Sequence, residues 1–473
     1  MKDAEHQAGP ILHFRGQDHD GVRLAAINIW PSDVGPPPTV RTAQNEIAPC
    51  RIATVGEMSV WRHDFRLAQR EGGYGFGAQF HPVVTDLTDD LRIAFVSCNG
   101  EEHGDLDRDG PERNLMWSRL ADEHARAPFA LLLQGGDQIY ADEATHGHPL
   151  SNEWPDRVVA DPDAAALAGL EDHLRAGFLQ RYLSVLAAPD CTGLFASVPT
   201  LSIWDDHDIC DGWGSLPEAA TDSHVGRVLF RVARQMYLLF QHGATEADIP
   251  DLFFDPSGRN LGWRRDLPGL TIFAPDLRSE RRRRRVMDEA GWQGVESIRP
   301  EAGAHTLMVS SVPLLGPRLS LLESVMGLIP RMQHYEDDLR DQWQSHAHRE
   351  EWRRMLRQVL RMREAGPVTV LSGEIHLATR AEMGPQDSLI HQLVASGISH
   401  RAPPSLYARA LGWLAGLAEA PLSGHPISVR PLPGHRQRYI AERNFLTLDR
   451  RGRRWQAVWH LEHSGQTQPL PLD

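Results

Sequence analysis

The chain reads Leu-Leu-Leu-Gln-Gly-Gly-Asp-Gln-Ile-Tyr-Ala-Asp from residue 131 to residue 142. The apolar run Phe129–Leu133, which enters this stretch, is short and shows no polar alternation, as is typical of a strand buried on both faces. Two glycines follow the run, and Asp137 and Tyr140 come directly after them. A carboxylate and a phenol at the end of a buried strand predict a ligand site at the edge of an α/β sheet.

Three other predicted strands end in the same way. Polar side chains come directly after Ile93–Val96, Leu201–Trp204 and Val368–Leu371. Because the carboxyl ends of the strands in an open α/β sheet form the ligand crevice, we expect these side chains to converge. So many acids would repel one another unless cations held them, which predicts a metal cluster. The side chains at the four strand ends are Cys98, Asp137, Tyr140, Asp205, Asp206, His207, Asp208, Glu374 and His376.

Each of these residues, taken alone, also has a structural explanation. Asp205 and Asp208 suit the capping position of a helix, and Tyr140 suits a packed aromatic site. Cys98 suits a small buried site, and His376 suits a structural position after a strand. None of these explanations covers the joint occurrence of such residues after four strands, each next to a glycine or another small residue. The joint pattern favours a functional metal site.

Apolar runs alternate with amphipathic helices from residue 91 onward. Strands that alternate with helices predict an α/β domain over residues 91–473, which ends in a hairpin at residues 444–459. Residues 1–90 carry turn signals and the alternating run Met58–Phe65, which predict a smaller β-rich N-terminal accessory domain. The predicted buried strands are Ile93–Val96, Phe129–Leu133, Pro199–Trp204, Leu270–Ala274, Thr306–Val309 and Val368–Leu371. The apolar stripes of two helices are Val225, Val228, Leu229, Val232, Met236 and Leu239, and Trp352, Met355, Leu356, Val359 and Leu360.

Charge and composition limit the partners. The 473 residues include 49 Lys and Arg against 63 Asp and Glu, and the net charge of −14 predicts no binding to nucleic acid or to anionic membranes. No apolar run is long enough to span a membrane. The four cysteines form no CxxC pair, which argues against a structural zinc site and fits a reducing compartment. The polar start has no apolar signal segment, so we expect a cytoplasmic protein if this N-terminus is native.

Four blocks of the sequence resemble the PhoD-like phosphatases, the alkaline phosphatase D branch of the metallophosphoesterases. The blocks are Val96–Gly100, Gly136–Asp142, Trp204–Asp208 and Ser372–His376, and Pro275–Ser279 resembles a short Asp-x-Arg segment of that family. The resemblance implies an α/β fold of two mixed β-sheets flanked by helices, with a dinuclear metal site on loops at the sheet edge. It also implies a hydrolase that acts on phosphomonoesters or phosphodiesters. The implied cations are Fe(III) with Ca(II) or another divalent ion, zinc, manganese or magnesium.

The same resemblance implies roles for individual residues. The implied ligands of the ferric ion are Cys98, Tyr140 and His376, those of the second ion are Asp206 and Glu374, and Asp137 bridges the two ions. His207 stands beside a ligand and is placed to donate a proton to the leaving alkoxide, with Asp208 orienting its ring. Asn99 and Arg278 are candidates for substrate binding, since an arginine fork matches phosphate geometry. An ordinary salt bridge is the alternative role for Arg278.

Two other functions stay open at the level of sequence. A mononuclear non-haem iron oxygenase needs two histidines and one carboxylate, whereas this chain supplies more acids than imidazoles. A catalytically inert metal-binding protein of the same fold is disfavoured because every candidate position holds a competent ligand. The apolar segments Leu314–Met332 and Leu406–Leu417 predict either a lid that favours a lipid-like or aryl phosphodiester, or core and dimer packing, and the substrate class is a small-molecule or lipid-like phosphoester. The sequence does not predict the oligomeric state.

Overall fold

The computed structural model describes residues 7–316, 342–373, 375–416 and 419–472. Its strands are, in chain order, β1 (Ala8–Asp18), β2 (Gly21–Pro31), β3 (Val40–Arg41), β4 (Glu46–Ile47), β5 (Cys50–Val55), β6 (Met58–Leu67), β7 (Gly73–Phe76), β8 (Gln79–Pro82), β9 (Leu91–Val96), β10 (Leu131–Gly135), β11 (Thr200–Ile203), β12 (Trp263–Leu267), β13 (Leu270–Ala274), β14 (His305–Ser310), β15 (Val368–Ser372), β16 (Ala378–Met383), β17 (Ile390–Ala395), β18 (Glu419–Leu422), β19 (His425–Arg430), β20 (Tyr439–Ile440), β21 (Asn444–Arg451), β22 (Arg454–Leu461), β23 (Gly465–Gln466) and β24 (Leu470–Pro471). The predicted buried strands are confirmed at β9, β10, β11, β13, β14 and β15, and the predicted terminal hairpin is formed by β21 and β22.

The first large sheet carries three of the four strand ends with polar side chains. Its strand order is β23-β22-β21-β9-β10-β11-β1-β2-β6-β5, with β24 beside β22. The central strands β9, β10 and β11 are parallel, with Leu131 opposite Ile93 and Leu132 opposite Thr200. Because both faces of these strands are buried, their side chains are mostly apolar. The three carboxyl ends therefore lie at one edge of the sheet.

The second large sheet carries the fourth strand end. Its order is β12-β13-β14-β15-β17-β16-β19-β18, with β20 beside β16. Strands β13, β14, β15 and β17 are parallel, and the register places Leu371 of β15 opposite Leu393 of β17. A small third sheet has the order β4-β3-β7-β8. The predicted α/β architecture with two mixed sheets is thus confirmed.

The helices pack on these sheets through apolar faces. They are α1 (Gly110–Arg113), α2 (Leu115–Arg126), α3 (Ala164–Leu186), α4 (Pro189–Ser197), α5 (Glu218–Thr221), α6 (His224–His242), α7 (Ile249–Leu252), α8 (Glu289–Ser297), α9 (Arg349–Arg363) and α10 (Ser405–Leu414). The hydroxyl of Ser223 caps α6 by accepting a hydrogen bond from the Gly226 amide at 3.1 Å, and Gly243 ends that helix with φ of +57°. The predicted apolar stripes of α6 and α9 are buried, apart from a partly buried Leu360.

The N-terminal strands join the first sheet. The predicted strand at Met58–Phe65 is β6, and its side chains alternate between buried and exposed from His63 onward, whereas Met58, Ser59 and Val60 are all buried. Strand β1 pairs with β2 and also lies parallel to β11, where His13 is opposite Thr200. The division at residue 90 into an accessory and a catalytic domain stays a prediction, and β1, β2, β5 and β6 share one continuous sheet with β9, β10 and β11.

Two glycines let the strand ends approach one another. A Cβ atom at Gly136, where φ is +107°, would stand 2.8 Å from the Asp205 Cβ atom. A Cβ atom at Gly373 would collide with the Ser97 side chain at the end of β9. The close approach of β15 to β9, and of β10 to β11, therefore requires residues without side chains at these two positions.

The two apolar segments that predict a lid lie only partly within the described residues. Leu314–Met332 lies outside the described residues from residue 317 onward, as does Leu417 at the end of the second segment. In α10, Leu406 is 76% exposed and Trp413 is 78% exposed, so these two side chains are not part of the core. Within the described part of the chain, no helix has the length and apolar composition that a membrane span needs.

Candidate metal centre

Three candidate ligands have a left-handed backbone, which residues with side chains rarely adopt. The φ angle is +55° at Cys98, +53° at Asp137 and +51° at His376. Each residue comes shortly after a buried strand, β9, β10 or β15. Such backbone costs about 1–3 kcal/mol per residue and clusters at functional sites. These three turns bring one ligand atom of each residue within 4.8 Å of the other two.

A serine from a fourth strand connects two of these ligands. The Ser396 hydroxyl, just after β17, lies 3.1 Å from the Cys98 sulfur and accepts a hydrogen bond from the His376 amide at 2.8 Å. The Cys98 sulfur also lies 3.5 Å from Asp137 Oδ2. Burial, followed by the nearby His400, lowers the pKa of His376 well below its usual range, so its imidazole is neutral. A neutral imidazole is the form that binds metal ions.

Three carboxylates form a buried acidic cluster beside this group. One oxygen each from Asp137, Asp205 and Asp206 lies within 4.8 Å of the other two. Burial, and then the Asp205 charge, raises the pKa of Asp137 well above its usual value. Among the described residues, Asp137 Oδ1 has no hydrogen-bond partner, although it is buried. A cation at this point would satisfy that oxygen and remove the repulsion among the acids.

The phenol of Tyr140 lies between two histidines. Its hydroxyl is 3.0 Å from His376 Nε2, and its ring stacks on His207 with centroids 4.4 Å apart. Burial raises the pKa of Tyr140 well above 10, and the neighbouring Cys98 and Asp137 raise it further. The phenol is therefore protonated in the absence of a cation, and a metal ion would have to displace its proton to bind it.

The carboxylate that holds His207 belongs to Asp142. His207 Nδ1 lies 3.1 Å from both oxygens of Asp142. Burial lowers the pKa of His207, but the charges of Asp142 and Asp206 outweigh burial and raise that pKa well above 6.5. The imidazole is therefore positively charged, with Nδ1 occupied by Asp142 and a second proton on Nε2. This is the protonation state of a general acid.

Asp208 does not orient the His207 ring, so the predicted role of Asp208 is wrong. Its Oδ1 accepts hydrogen bonds from the amides of Gln138 and Ile139 at 3.1 and 3.2 Å, and its Oδ2 accepts one from the Asp205 amide at 2.9 Å. Asp208 therefore fixes the loop after β10 to the loop after β11. Its side chain faces backbone amides because it is fully buried below the loop.

Arg278 is a structural partner of the acidic cluster. Its side chain is 0% exposed; Nε donates to Asp205, and Nη2 lies 3.3 Å from Asp206 Oδ1. Nη1 donates to the carbonyl of Trp213 at 3.0 Å. The contact of Arg278 with substrate stays a prediction, and in this structure the guanidinium is engaged by Asp205 and Asp206. The ion-pair alternative describes its surroundings.

Asn99 is also fully engaged within the protein. Its Oδ1 accepts hydrogen bonds from Trp117 Nε1 at 2.8 Å and from the Ser399 hydroxyl at 2.7 Å, and its Nδ2 donates to the Gln138 carbonyl at 3.3 Å. These contacts do not leave Asn99 free for the predicted contact with substrate. Glu374 lies outside the described residues, so its predicted role as a ligand stays a prediction.

Two residues of the candidate site, His400 and Asp142, were not predicted from the sequence. The His400 ring stacks on the His376 ring at a centroid distance of 3.4 Å, and its Nε2 lies 3.3 Å from the Glu102 carboxylate. His400 follows β17 in the run Ser396-Gly397-Ile398-Ser399-His400, which has the same pattern of strand, small residues and histidine as the other strand ends. Asp142 closes the stretch after β10, but its sequence position gives no indication that it pairs with His207.

The donors present fit a pair of metal ions. Thiol, phenol and carboxylate become anionic ligands that suit a trivalent or hard divalent ion, and a neutral imidazole suits most transition metals. Asp137 belongs to both groups of ligand atoms, and its Oδ1 is the oxygen without a hydrogen-bond partner among the described residues. The arrangement can therefore hold two cations that share one carboxylate.

Comparison with solved structures defines the class of fold. The structure of PhoD matches with a TM-score of 0.57 at 11% identity, covering 99% of this chain and 92% of that chain. The purple acid phosphatase PPD1 from seeds of yellow lupin (Lupinus luteus) matches with a TM-score of 0.52 at 10% identity, covering 98% and 73%. At such low identities the likeness concerns the fold, which is of the metallophosphoesterase type.

Comparison with protein families identifies similar proteins within this class of fold. Residues 101–335 match the model of the PhoD related phosphatase family, so the resemblance to PhoD-like phosphatases is confirmed. The uncharacterized protein YGR266W of Saccharomyces cerevisiae is 24% identical over 365 residues, which cover 63% of this chain and 51% of that protein. The chain thus spans about half the length of the relative that it matches.

Proposed function

We propose that the chain hydrolyses phosphomonoesters or phosphodiesters with two metal ions, a metal-activated hydroxide and a histidine general acid. The observation that carries the proposal is the buried acidic cluster of Asp137, Asp205 and Asp206, in which Asp137 has an unpartnered oxygen and also groups with Cys98 and His376. A buried carboxylate without hydrogen-bond partners is unfavourable unless a cation or a proton compensates it. The resemblance to PhoD-like phosphatases supports a pair of ions, Fe(III) with Ca(II) or another divalent ion.

The ligands divide into two groups that share Asp137. Cys98, Tyr140 and His376 form one group, whose anionic thiol and phenol would suit a ferric ion. Asp206 and Glu374 form the other in the family pattern, and Asp205 lies close enough to join it. When bound, such a pair of ions supplies hydroxide as the nucleophile near neutral pH and offsets the charge of the phosphoryl oxygens.

His207 supplies the proton for the leaving group. Asp142 accepts the Nδ1 hydrogen, which fixes the ring and leaves the Nε2 hydrogen for the departing oxygen. Burial lowers the pKa of His207, but the charge of Asp142, which is not one of the proposed ligands, raises it and favours that hydrogen before the reaction. Stacking on Tyr140 restricts the ring to one plane.

A pair of cysteine variants tests the proposal. Cys98 and Cys191 are both buried, but Cys191 lies in the core on α4, whereas Cys98 belongs to the metal centre. We expect Cys98→Ser to lower the metal content and the hydrolysis of bis-nitrophenyl phosphate, because a hydroxyl is a poor replacement for thiolate. Cys191→Ser should retain both properties in a folded protein. Unchanged metal content and activity in Cys98→Ser would exclude Cys98 from the centre.

Two observations limit the chemical class of the substrate. The family match supports a small-molecule phosphoester, and the exposed apolar side chains of Leu406, Tyr407 and Trp413 on α10 favour a lipid-like member of that class. A comparison of long-chain and short-chain phosphodiesters, at equal leaving group, measures this preference. Equal kcat/KM for the two would exclude a lipid-like substrate.

A further inference from the structure

Two of the candidate ligands come from different sheets. Cys98 follows β9 of the first sheet, whereas His376 follows β15 of the second. Residues 396–400, which follow β17 of the second sheet, join the two sheets beside these ligands. The Ile398 amide donates to the Ser97 carbonyl at 3.0 Å, and a second amide of this segment donates to the Cys98 carbonyl at 3.1 Å. The segment therefore connects the end of β9 to the sheet that carries His376.

Ser396, the first residue of this segment, contacts both ligands with one hydroxyl. Its side chain is fully buried. The hydroxyl oxygen accepts a hydrogen bond from the His376 amide at 2.8 Å and lies 3.1 Å from the Cys98 sulfur. The Ser396 carbonyl accepts a hydrogen bond from Asn444 Nδ2 at 2.7 Å, so the first sheet also fixes the main chain of Ser396. The hydroxyl is thus held in place between the two ligands.

The direction of the hydrogen bond between Ser396 and Cys98 follows from the number of hydrogens. An amide can only donate, so the bond from His376 uses a lone pair of the Ser396 hydroxyl and leaves its single hydrogen available. Cys98 would bind a metal ion as a thiolate, which has no hydrogen. In that form the sulfur can only accept, and the Ser396 hydroxyl is the donor at 3.1 Å.

These two contacts have different consequences for the ligands. A hydrogen bond to a thiolate draws electron density away from the sulfur, and bonds of this kind tune the electronic properties of metal ions held by cysteine. The same bond compensates part of the charge of a buried thiolate. The bond from the His376 amide acts on geometry instead, because it fixes the turn in which His376 has a φ of +51°.

We propose that Ser396 is a positioning residue of the metal centre, which holds His376 through its amide and donates a hydrogen bond to the Cys98 thiolate. It thereby fixes the spacing of two ligands from different sheets and reduces electron donation from the sulfur. Hydrogen bonds from outside the ligand set orient the ligands and tune the bound metal in this way. The proposal rests on the metal centre of the proposed function, but cation binding tests it without any hydrolysis.

Titration of the full-length chain with cobalt(II), followed by absorption spectroscopy, tests the proposal. Cobalt bound by a thiolate gives a charge-transfer band, and Cys98→Ser should lack this band, which assigns it to Cys98. We expect Ser396→Ala to weaken cobalt binding about 10- to 100-fold, as is typical for loss of an outer partner of a ligand. The band should also move to longer wavelength, because a thiolate without its hydrogen-bond donor gives up an electron more easily.

Ser399→Ala is the matched control. Ser399 is a fully buried serine of the same segment, but its hydroxyl donates to Asn99 Oδ1 at 2.7 Å instead of to a candidate ligand. Its cobalt affinity and its band should match those of the wild type. If Ser396→Ala fails to fold, Ser396→Thr and Ser396→Val make the comparison, since they are equal in size and only threonine retains the hydroxyl. The threonine variant should keep the wild-type band, and the valine variant should shift it.

The outcomes separate this proposal from the proposed function. A wild-type chain without the cobalt band, or a band that persists in Cys98→Ser, would overturn the metal centre and this proposal together. Unchanged affinity and band in Ser396→Ala would overturn this proposal alone. Weaker binding with an unmoved band would overturn the donation to the sulfur and leave Ser396 a purely structural residue. A shifted band in Ser396→Ala of a protein that hydrolyses no ester would support this proposal and contradict the proposed function.

Discussion

Removal of the His207 imidazole should slow hydrolysis selectively. In His207→Ala, esters with alkoxide leaving groups should react much more slowly, whereas nitrophenyl esters should retain most of their rate. An alkoxide needs a proton as it departs, and a nitrophenolate does not. Asp142 lies 3.1 Å from His207 Nδ1, and its negative charge favours the protonated ring. That protonated ring carries the Nε2 proton that the leaving group needs.

The expected loss of rate in His207→Ala follows from the role of His207 as a general acid. Loss of a general acid typically costs a factor of about 10² to 10⁴ in rate, which is about 3–5 kcal/mol of barrier. Asp142→Asn should give a smaller selective loss, because the amide can still accept the Nδ1 hydrogen but no longer supplies the charge that raises the pKa of His207. Its pH–rate profile should lose activity at lower pH than that of the wild type, since the acid loses its proton earlier.

The assay compares kcat/KM for an alkyl and a nitrophenyl phosphodiester in each variant, with metal content measured on the same samples. His19→Ala is the matched control, because His19 also lies beside a carboxylate, Asp20 at 3.4 Å, but its side chain is 90% exposed. The control should match the wild type for both substrates. If His207→Ala loses metal, or loses both substrates equally, His207 is a ligand and the assignment as proton donor is refuted.

Four further predictions concern the buried charges. Asp137→Asn should abolish hydrolysis of every ester, and in metal-free protein should raise the unfolding temperature in calorimetry, because the native fold no longer has to bury an ionisable group beside Asp205. Arg278→Met should lower the free energy of unfolding by about 3–5 kcal/mol in urea titration, since it leaves buried carboxylates unpaired. Burial lowers the pKa of His13 and of His305 to about 3. As the pH falls, these histidines therefore bind protons in the unfolded chain before they do so in the folded one. Below pH 6.5 the free energy of unfolding should decrease by about 1.4 kcal/mol per pH unit for each histidine, down to about pH 3. Urea titrations at a series of fixed pH values measure this decrease. If iron is bound, visible absorption from phenolate-to-iron charge transfer should vanish in Tyr140→Phe, and an unchanged band would exclude Tyr140 as a ligand.

Local pattern was sufficient to predict six buried strands, β9, β10, β11, β13, β14 and β15, and the polar ends of four of them. A strand buried on both faces must be apolar throughout, and side chains that follow parallel strands share one edge. Cys98 and Asp137 converge for this reason, whereas His376 follows β15 of the second sheet and reaches them because Gly373 lets that strand end pack against Ser97. The sequence also indicates the glycines that permit their turns, although it gives no sign that the three residues themselves adopt positive φ.

Local sequence pattern does not predict contacts between segments that are distant in the chain. Asp208 is next to His207 in sequence, yet Asp142 provides the carboxylate, because the loop after β10 crosses the loop after β11. Arg278 looks like a free phosphate ligand in sequence, but the fold buries it behind two acids. His400 reaches the site only through the pairing of β15 with β17. Each of these relations depends on tertiary contacts between distant segments.

The metal content of the purified full-length protein, measured together with hydrolysis of nitrophenyl mono-, di- and triesters, tests the two-metal assignment most directly. We expect close to two metal ions per chain, and hydrolysis of monoesters or diesters that disappears on chelation and returns when metal is restored. A fully metal-loaded protein that hydrolyses none of the three ester classes would contradict the assignment of this site as a phosphoesterase centre.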